Sequence, residues 1–263
     1  MLGAFLSEWV KLRRRSMLLW GLGGTLFFTV LATLFTFERA VKTLTPGFHG
    51  HRFHVTIAEL SRPNGLVHGI VDVSNLVGIV ALALFAGATA SEYSQGTLRN
   101  LLVRQPGRIK LLSGKFLAIA LFVLIAIILA FVVAIAVAFA VGPGKGVHTS
   151  AWTSSSGLND TFQAILHIYL AAIGYGVLGT ALAVILRSPA VAITVGIAYA
   201  LPGEQIILAL WDNGNRWLPG QLLSAVAHGG TSVTSYSRAL LIATLYAVVV
   251  AAGTLVMFQR RDV

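Results

Sequence analysis

The chain has no cysteine. That excludes disulfide staples and thiolate metal sites and leaves the compartment open. Charge is scarce too: Asp, Glu, Lys and Arg make up 11% of the 263 residues, and 9 acidic residues stand against 19 basic ones. Sequence motifs for chemistry are missing. There is no Gly-x-x-x-x-Gly-Lys-Ser/Thr, and Gly114-Lys115 lacks both the upstream glycine and the following hydroxyl residue of a phosphate loop. There is no His-Glu-x-x-His, and no Ser/His/Asp set or carboxylate pair shares a depth, so no enzyme activity and no cofactor of the chain's own is expected.

What is abundant is apolar sequence. Hydrophobic residues make up 56% and mean hydropathy is +0.82, outside the range in which a soluble domain can cover its apolar side chains. Uncharged runs at Met17 to Phe37, Val73 to Ala90, Phe116 to Val141, Phe162 to Leu186, Ser188 to Leu210 and Ala239 to Phe258 are each long enough, or nearly so, to cross a hydrocarbon core of about 30 Å. An all-α integral membrane protein with six transmembrane helices is expected, 1–263 forming one domain. The first run exceeds a signal-peptide core of roughly 7 to 15 residues and lacks a small-x-small cleavage site, so it is expected to remain as the first helix.

With six spans both termini share a side. That side receives Lys11, Arg13, Arg14, Arg15, Arg99, Arg104, Arg108, Lys110, Lys115, Arg187, Arg260 and Arg261, whereas the basic residues opposite are offset by Glu38, Glu59, Asp72, Asp160 and Asp212. The positive-inside rule makes the crowded side cytoplasmic. The formal charge of +10 therefore reflects topology, and no nucleic-acid partner is expected.

The N-terminus, 1–15, repeats apolar residues at Leu2, Phe5, Leu6 and Trp9, with Ser7, Glu8 and Lys11 off that face, which predicts an interfacial helix on membrane lipid. The loop from Glu38 to Asp72 carries His49, His51 and His54; with no carboxylate or Cys completing a geometry, it reads as solvated chain and no metal site is expected. Trp152, Trp211 and Trp217 fit an outer aromatic belt.

The insert 91–115 is basic and amphipathic. Thr97 can cap a short helix with Leu98, Leu101 and Leu102 on one face, ended by Pro106-Gly107. Glu92, Gly96, Thr97, Leu98, Leu101, Leu102, Pro106, Arg108, Leu111, Leu112 and Lys115, in that order between two spans, resemble the cytoplasmic signature of ABC-2 type permeases, the membrane subunits of ATP-binding-cassette exporters. The six spans, the N-terminal segment and the ending Phe258-Gln-Arg-Arg-Asp262 are similar to that family as well. Gly107 and Ile109 flank Arg108 where a Ser-Arg pair is more usual. The resemblance implies a permease in a prokaryotic cell membrane, exporting a drug, lipid or peptide, with the insert as a coupling helix seated on a separate ATPase. Glu92, Gly96, Thr97, Leu98, Arg99, Leu101, Leu102, Pro106, Arg108 and Lys115 would be the coupling residues. It implies two ATPase subunits, which would hold ATP and Mg, and a second permease as homodimer or heterodimer. The alternative is an accessory membrane subunit without an ATPase.

For a translocation path, intramembrane polar groups are the guide. His68, Asp72 and Asn75 fall at i, i+4, i+7, one face of the second helix if it starts early enough; otherwise Asp72 or Ser74 caps it. Glu204 follows Leu201-Pro202-Gly203, where proline should kink the fifth helix, and lies about 22 Å along it from Pro189. Its carboxylate should meet a cavity, a broken-helix backbone or a cation such as Arg216 or Arg238. Gly174, Gly176 and Gly179, with Ala172, offer small faces for close helix packing.

The absence of cysteine makes the topology directly testable. In intact cells, an impermeant maleimide should label Ser154→Cys and leave Gly107→Cys unlabelled; the opposite pattern inverts the orientation.

Overall fold

The computed structural model describes residues 2–15, 18–40, 55–97 and 107–260. Among these residues the fold is helical with no strand, and six helices are long and apolar enough to cross a membrane: Gly21–Glu38, Ser74–Ser94, Arg108–Val141, Ser155–Leu186, Pro189–Leu210 and Tyr236–Arg260. In chain order the helices are α1 (Leu2–Leu12), α2 (Gly24–Glu38), α3 (Ile57–Leu60), α4 (His68–Asp72), α5 (Ser74–Ser94), α6 (Arg108–Val141), α7 (Ser155–Leu186), α8 (Pro189–Ala198), α9 (Glu204–Leu210), α10 (Pro219–Ala227) and α11 (Tyr236–Arg260). A π-turn at Leu18–Gly23 leads into α2, and another at Tyr199–Gly203 joins α8 to α9 into the fifth span.

Helix ends follow from local chemistry. Gly96, at φ 64°, ends α5 in the left-handed conformation that glycine adopts without penalty. Ser154 accepts the Gly157 N–H and caps α7, which therefore starts well before the apolar run. Arg187 takes the left-handed conformation (φ 56°) to close α7, and Pro189, whose missing N–H costs nothing in a first turn, opens α8. The expected kink at Pro202 is the π-turn: the extra residue per turn accommodates the absent donor without breaking the helix.

The centre of the bundle is the parallel pair α5 and α7, which share the most extensive helix contact. Small residues make it close. A Cβ on Gly179 would lie 2.4 Å from the Leu82 carbonyl oxygen, one on Gly176 2.6 Å from the Phe85 ring and one on Gly78 2.3 Å from the Tyr175 ring. Gly176 and Gly179 thus face the second span, while Gly174 faces Leu223 of α10. Some buried threonines spend their hydroxyls on the preceding turn, as Thr29 does on the Thr25 carbonyl and Thr180 on that of Gly176 (2.8 and 2.9 Å), whereas Thr33 Oγ1 is buried without a partner.

At the end opposite α1, two loops lock together. Trp152 is fully buried, edge-on to Phe37 and Phe139, and its indole donates to the Leu60 carbonyl at 2.8 Å. It is a core residue of this cap and not part of an aromatic belt; Trp211 and Trp217 remain partly exposed. A Thr56/Glu59 capping box starts α3, and Lys145 pairs with Glu38 at 2.6 Å. Hydrogen bonds from Thr56 hold the Glu59 carboxyl below its ordinary value. His49, His51 and His54 lie outside the described residues.

Backbone contact at Gly179 cannot relax by side-chain movement. Gly179→Ala should lower thermal stability by roughly 1–3 kcal/mol, the usual cost of overpacking. Gly253→Ala, where an added Cβ meets nothing within 4 Å, should be neutral or stabilising by about 1 kcal/mol. Equal melting shifts for both variants would contradict the packing.

Candidate functional site

The densest chemistry sits at the end of the bundle where α1, the end of α5 and the start of α6 meet. Lys115 is the only residue of the α6 first turns to bring a charge inward, and it is 3% exposed. Its ammonium lies 2.8 Å from Glu92 Oε1, 3.3 Å from Glu8 Oε2 and 2.8 Å from the Ala88 carbonyl, which occupies all three donors. Lys11 closes the cluster, 2.9 Å from Glu92 Oε1 and in contact with Glu8. Two carboxylates and two ammonium groups cancel, so a buried site with no net charge is held by mutual pairing. Burial lowers the Lys11 value, but hydrogen bonds and the charges of Glu8 and Glu92 outweigh it and raise the net value above 10.5.

Apolar residues wall this tetrad. Ala4, Leu111, Leu112, Val184 and Phe258 form a small buried cluster with Tyr93 packed on it. Arg108 donates to the carbonyls of Phe258 and Gln259 (3.2 and 3.0 Å), satisfying the end of α11. Arg187 lies over the Tyr93 ring at 5.8 Å. The first turns of α6 thus contact every neighbouring helix end.

The apolar residues of α1 that periodicity groups together divide between two environments. Leu2 and Leu6 are exposed, at 76% and 52%, whereas Ala4, Glu8 and Leu12 are buried. Phe5 and Trp9 stack on each other and are only partly buried against the core. Glu8 and Lys11 went unread as site residues, although their i, i+3 opposite charges beside an apolar stripe were visible. Glu92 and Lys115 are brought together, whereas Arg108 lies against the end of α11; Gly96 and Thr97 follow at the end of α5. Leu98, Arg99, Leu101, Leu102 and Pro106 lie outside the described residues.

The tentative path residues divide. His68, Asp72 and Asn75 do not share one continuous helix face, because Val73 (φ −100°, ψ 12°) breaks α4 from α5. Nor does a side chain cap α5: Ser74 Oγ is buried without a partner, and Asp72 faces His68 at 3.6 Å. Asn75 is exposed. Glu204, 1% exposed, accepts the Gly220 N–H at 2.7 Å and the Gln221 amide at 3.2 Å. Of the three environments expected for it, the backbone one is realised, at the N-terminus of α10, where the free N–H groups and the helix dipole favour an anion. Arg238 instead covers the Trp217 ring at 5.7 Å.

His68 and His167 border a cleft of about 260 Å³ at the end opposite the tetrad, with Asn64, Asp160, Gln163 and His228. His167 packs on the Tyr236 ring, centroids 4.3 Å apart.

Breaking one member of the tetrad leaves an unpaired buried charge. Glu92→Gln should cost roughly 3–5 kcal/mol, read as a lower melting temperature, and Glu92→Gln with Lys115→Met should recover most of it. Lys11's contribution is complete below its ordinary value of 10.5 and is lost as pH rises through its raised folded value. Alkaline destabilisation should therefore shrink in Lys11→Met; if it persists undiminished, Lys11 does not carry it.

A comparison with curated proteins finds no match for the chain. Residues 60–263, most of the chain and all of the bundle from α4 onward, match the family model described as "Protein of unknown function (DUF2705)", and the chain belongs to that family.

Proposed function

We propose that this chain is the membrane permease of an ABC-type exporter, driven by a separate ATPase that docks on the insert between the second and third spans. One observation supports this most: Glu92 and Lys115, at the two ends of the insert, are held 2.8 Å apart. The insert is thereby returned to its own base. A load applied to it by a docked subunit would pass into the ends of α5 and α6 together and, through Glu8 and Lys11, into α1. A loop on slack ends would absorb the same load.

In this reading both termini and the insert are cytoplasmic, and α1 lies along the inner leaflet with Leu2, Leu6 and Val10 toward lipid, since these three are exposed on one side of the helix. Glu92 serves within the permease, holding the base of the insert, and Leu101 and Leu102 supply the contact with the ATPase. Glu204 fixes the short α10 against the interrupted fifth span and so closes the outer end of the path.

The docking claim is tested in the assembled complex. Leu101→Glu places a charge where burial of leucine contributes about 1.5–3 kcal/mol, so affinity for the ATPase should fall roughly tenfold or more and substrate-stimulated ATP hydrolysis should be lost. In the same assay Glu204→Gln should keep the complex assembled and lower export. If Leu101→Glu co-purifies with the ATPase and retains stimulated hydrolysis, the coupling assignment is wrong.

A further inference from the structure

The cleft at the end opposite the tetrad has a lining unlike the rest of the bundle. Asn64 and His68 come from the turn and α4, Asp160, Gln163 and His167 from the first turns of α7, and His228 from the end of α10, over a floor of Val67, Val71, Ala164 and Ala227. On α7 the polar positions 160, 163 and 167 recur at helical spacing on one side, while Leu158, Phe162 and Leu166 on the other are 63%, 66% and 43% exposed. The polar stripe thus borders the cleft, with Asp160 and His167 half-buried and Gln163 exposed, and the apolar stripe lies on the other side.

The lining is rich in acceptors and carries no lysine or arginine among the described residues. Asp160 is the carboxylate on the wall, and Asp72, 3.6 Å from His68 Nε2, lies outside the lining. The carboxyl of Asp72 is pushed up by burial, against the pull of His68 and His228. His228 Nδ1 is 2.8 Å from the Ser224 carbonyl and must be the protonated nitrogen there, which leaves Nε2 as an acceptor. Among the described residues no three His, Asp or Glu converge closely enough to hold a metal ion. The volume, about 260 Å³, lies below the usual range for drug-sized ligands and suits a headgroup or small molecule.

We propose that this cleft binds a primary ammonium group, with Asp160 as its charge partner and Asn64, Gln163, His68 and His228 as neutral hydrogen-bond acceptors. The binding is independent of whether the chain exports anything. The ammonium can belong to a soluble amine or to an aminolipid headgroup, and the two sources share this chemistry.

The probe is dansylcadaverine, a fluorescent primary amine, titrated onto the full chain in phosphatidylcholine nanodiscs with empty nanodiscs as background. Saturable binding is expected, weakened about fivefold or more in Asp160→Asn and tightened in Gln163→Glu, which adds a second wall carboxylate. A dansyl probe of the same length ending in a carboxylate should not bind at about pH 7.5. Competition by phosphatidylethanolamine in the disc identifies the lipid source, and competition by spermidine alone the soluble one. Equal binding of the amine and carboxylate probes, or unchanged amine binding in both Asp160→Asn and Gln163→Glu, overturns the proposal.

Discussion

The structure depends on one buried ionic contact, the pairing of Lys115 with Glu92 and Glu8. Each of these charges would be costly alone in an apolar surrounding, and none has water to fall back on. Their attraction therefore acts as a geometric requirement more than as a source of net stability. The start of α6, the end of α5 and the inward side of α1 must meet at one point, because only there are two carboxylates and two ammonium groups mutually satisfied. In a chain with 9 acidic residues, the commitment of two to this point is a large share, and it explains why a helix as short as α1 is held in place.

The remaining polar groups obey the same constraint in other ways. Glu204 is satisfied by the Gly220 N–H and the Gln221 side-chain amide at the head of α10 instead of by a cation. Thr29 and Thr180 within the spans bond to their own helix. Between these fixed points the contact of α5 with α7 has no polar pairing to speak of and relies on glycine, where backbones approach to within the width of a missing methyl group. The bundle is thus pinned at one end by charge, packed tightly in the middle and capped at the other end around Trp152, beside a polar cleft.

Much of this was legible in the sequence, because hydropathy and length are local properties. All six runs correspond to helices of sufficient length. The helices extend past the uncharged runs: α6 begins at Arg108, directly after Pro106-Gly107, and carries the paired Lys115 within it, and α7 begins at Ser155 because Ser154 caps it. On α1, periodicity sets Glu8 off the apolar face but cannot see its partner Lys115 across more than a hundred residues. Trp152 looked like a belt residue until Leu60 supplied an acceptor for its indole. Of the candidate site, the motif located Glu92, Arg108 and Lys115, whereas Glu8, Lys11 and the cleft around Asp160 and His228 arise from long-range contacts that no spacing encodes.

The most direct test of the central claim is a double-mutant cycle between Glu8 and Lys115, which lie on different helices and touch only through the tetrad. Unfolding of Glu8→Gln, Lys115→Met and the double variant should give a coupling energy of at least about 1 kcal/mol, because residues in one buried ionic network are not independent. Additivity within about 0.3 kcal/mol, the behaviour of distant and unrelated sites, would mean that α1 is not held by the buried charges, and the account of this end of the molecule would fail.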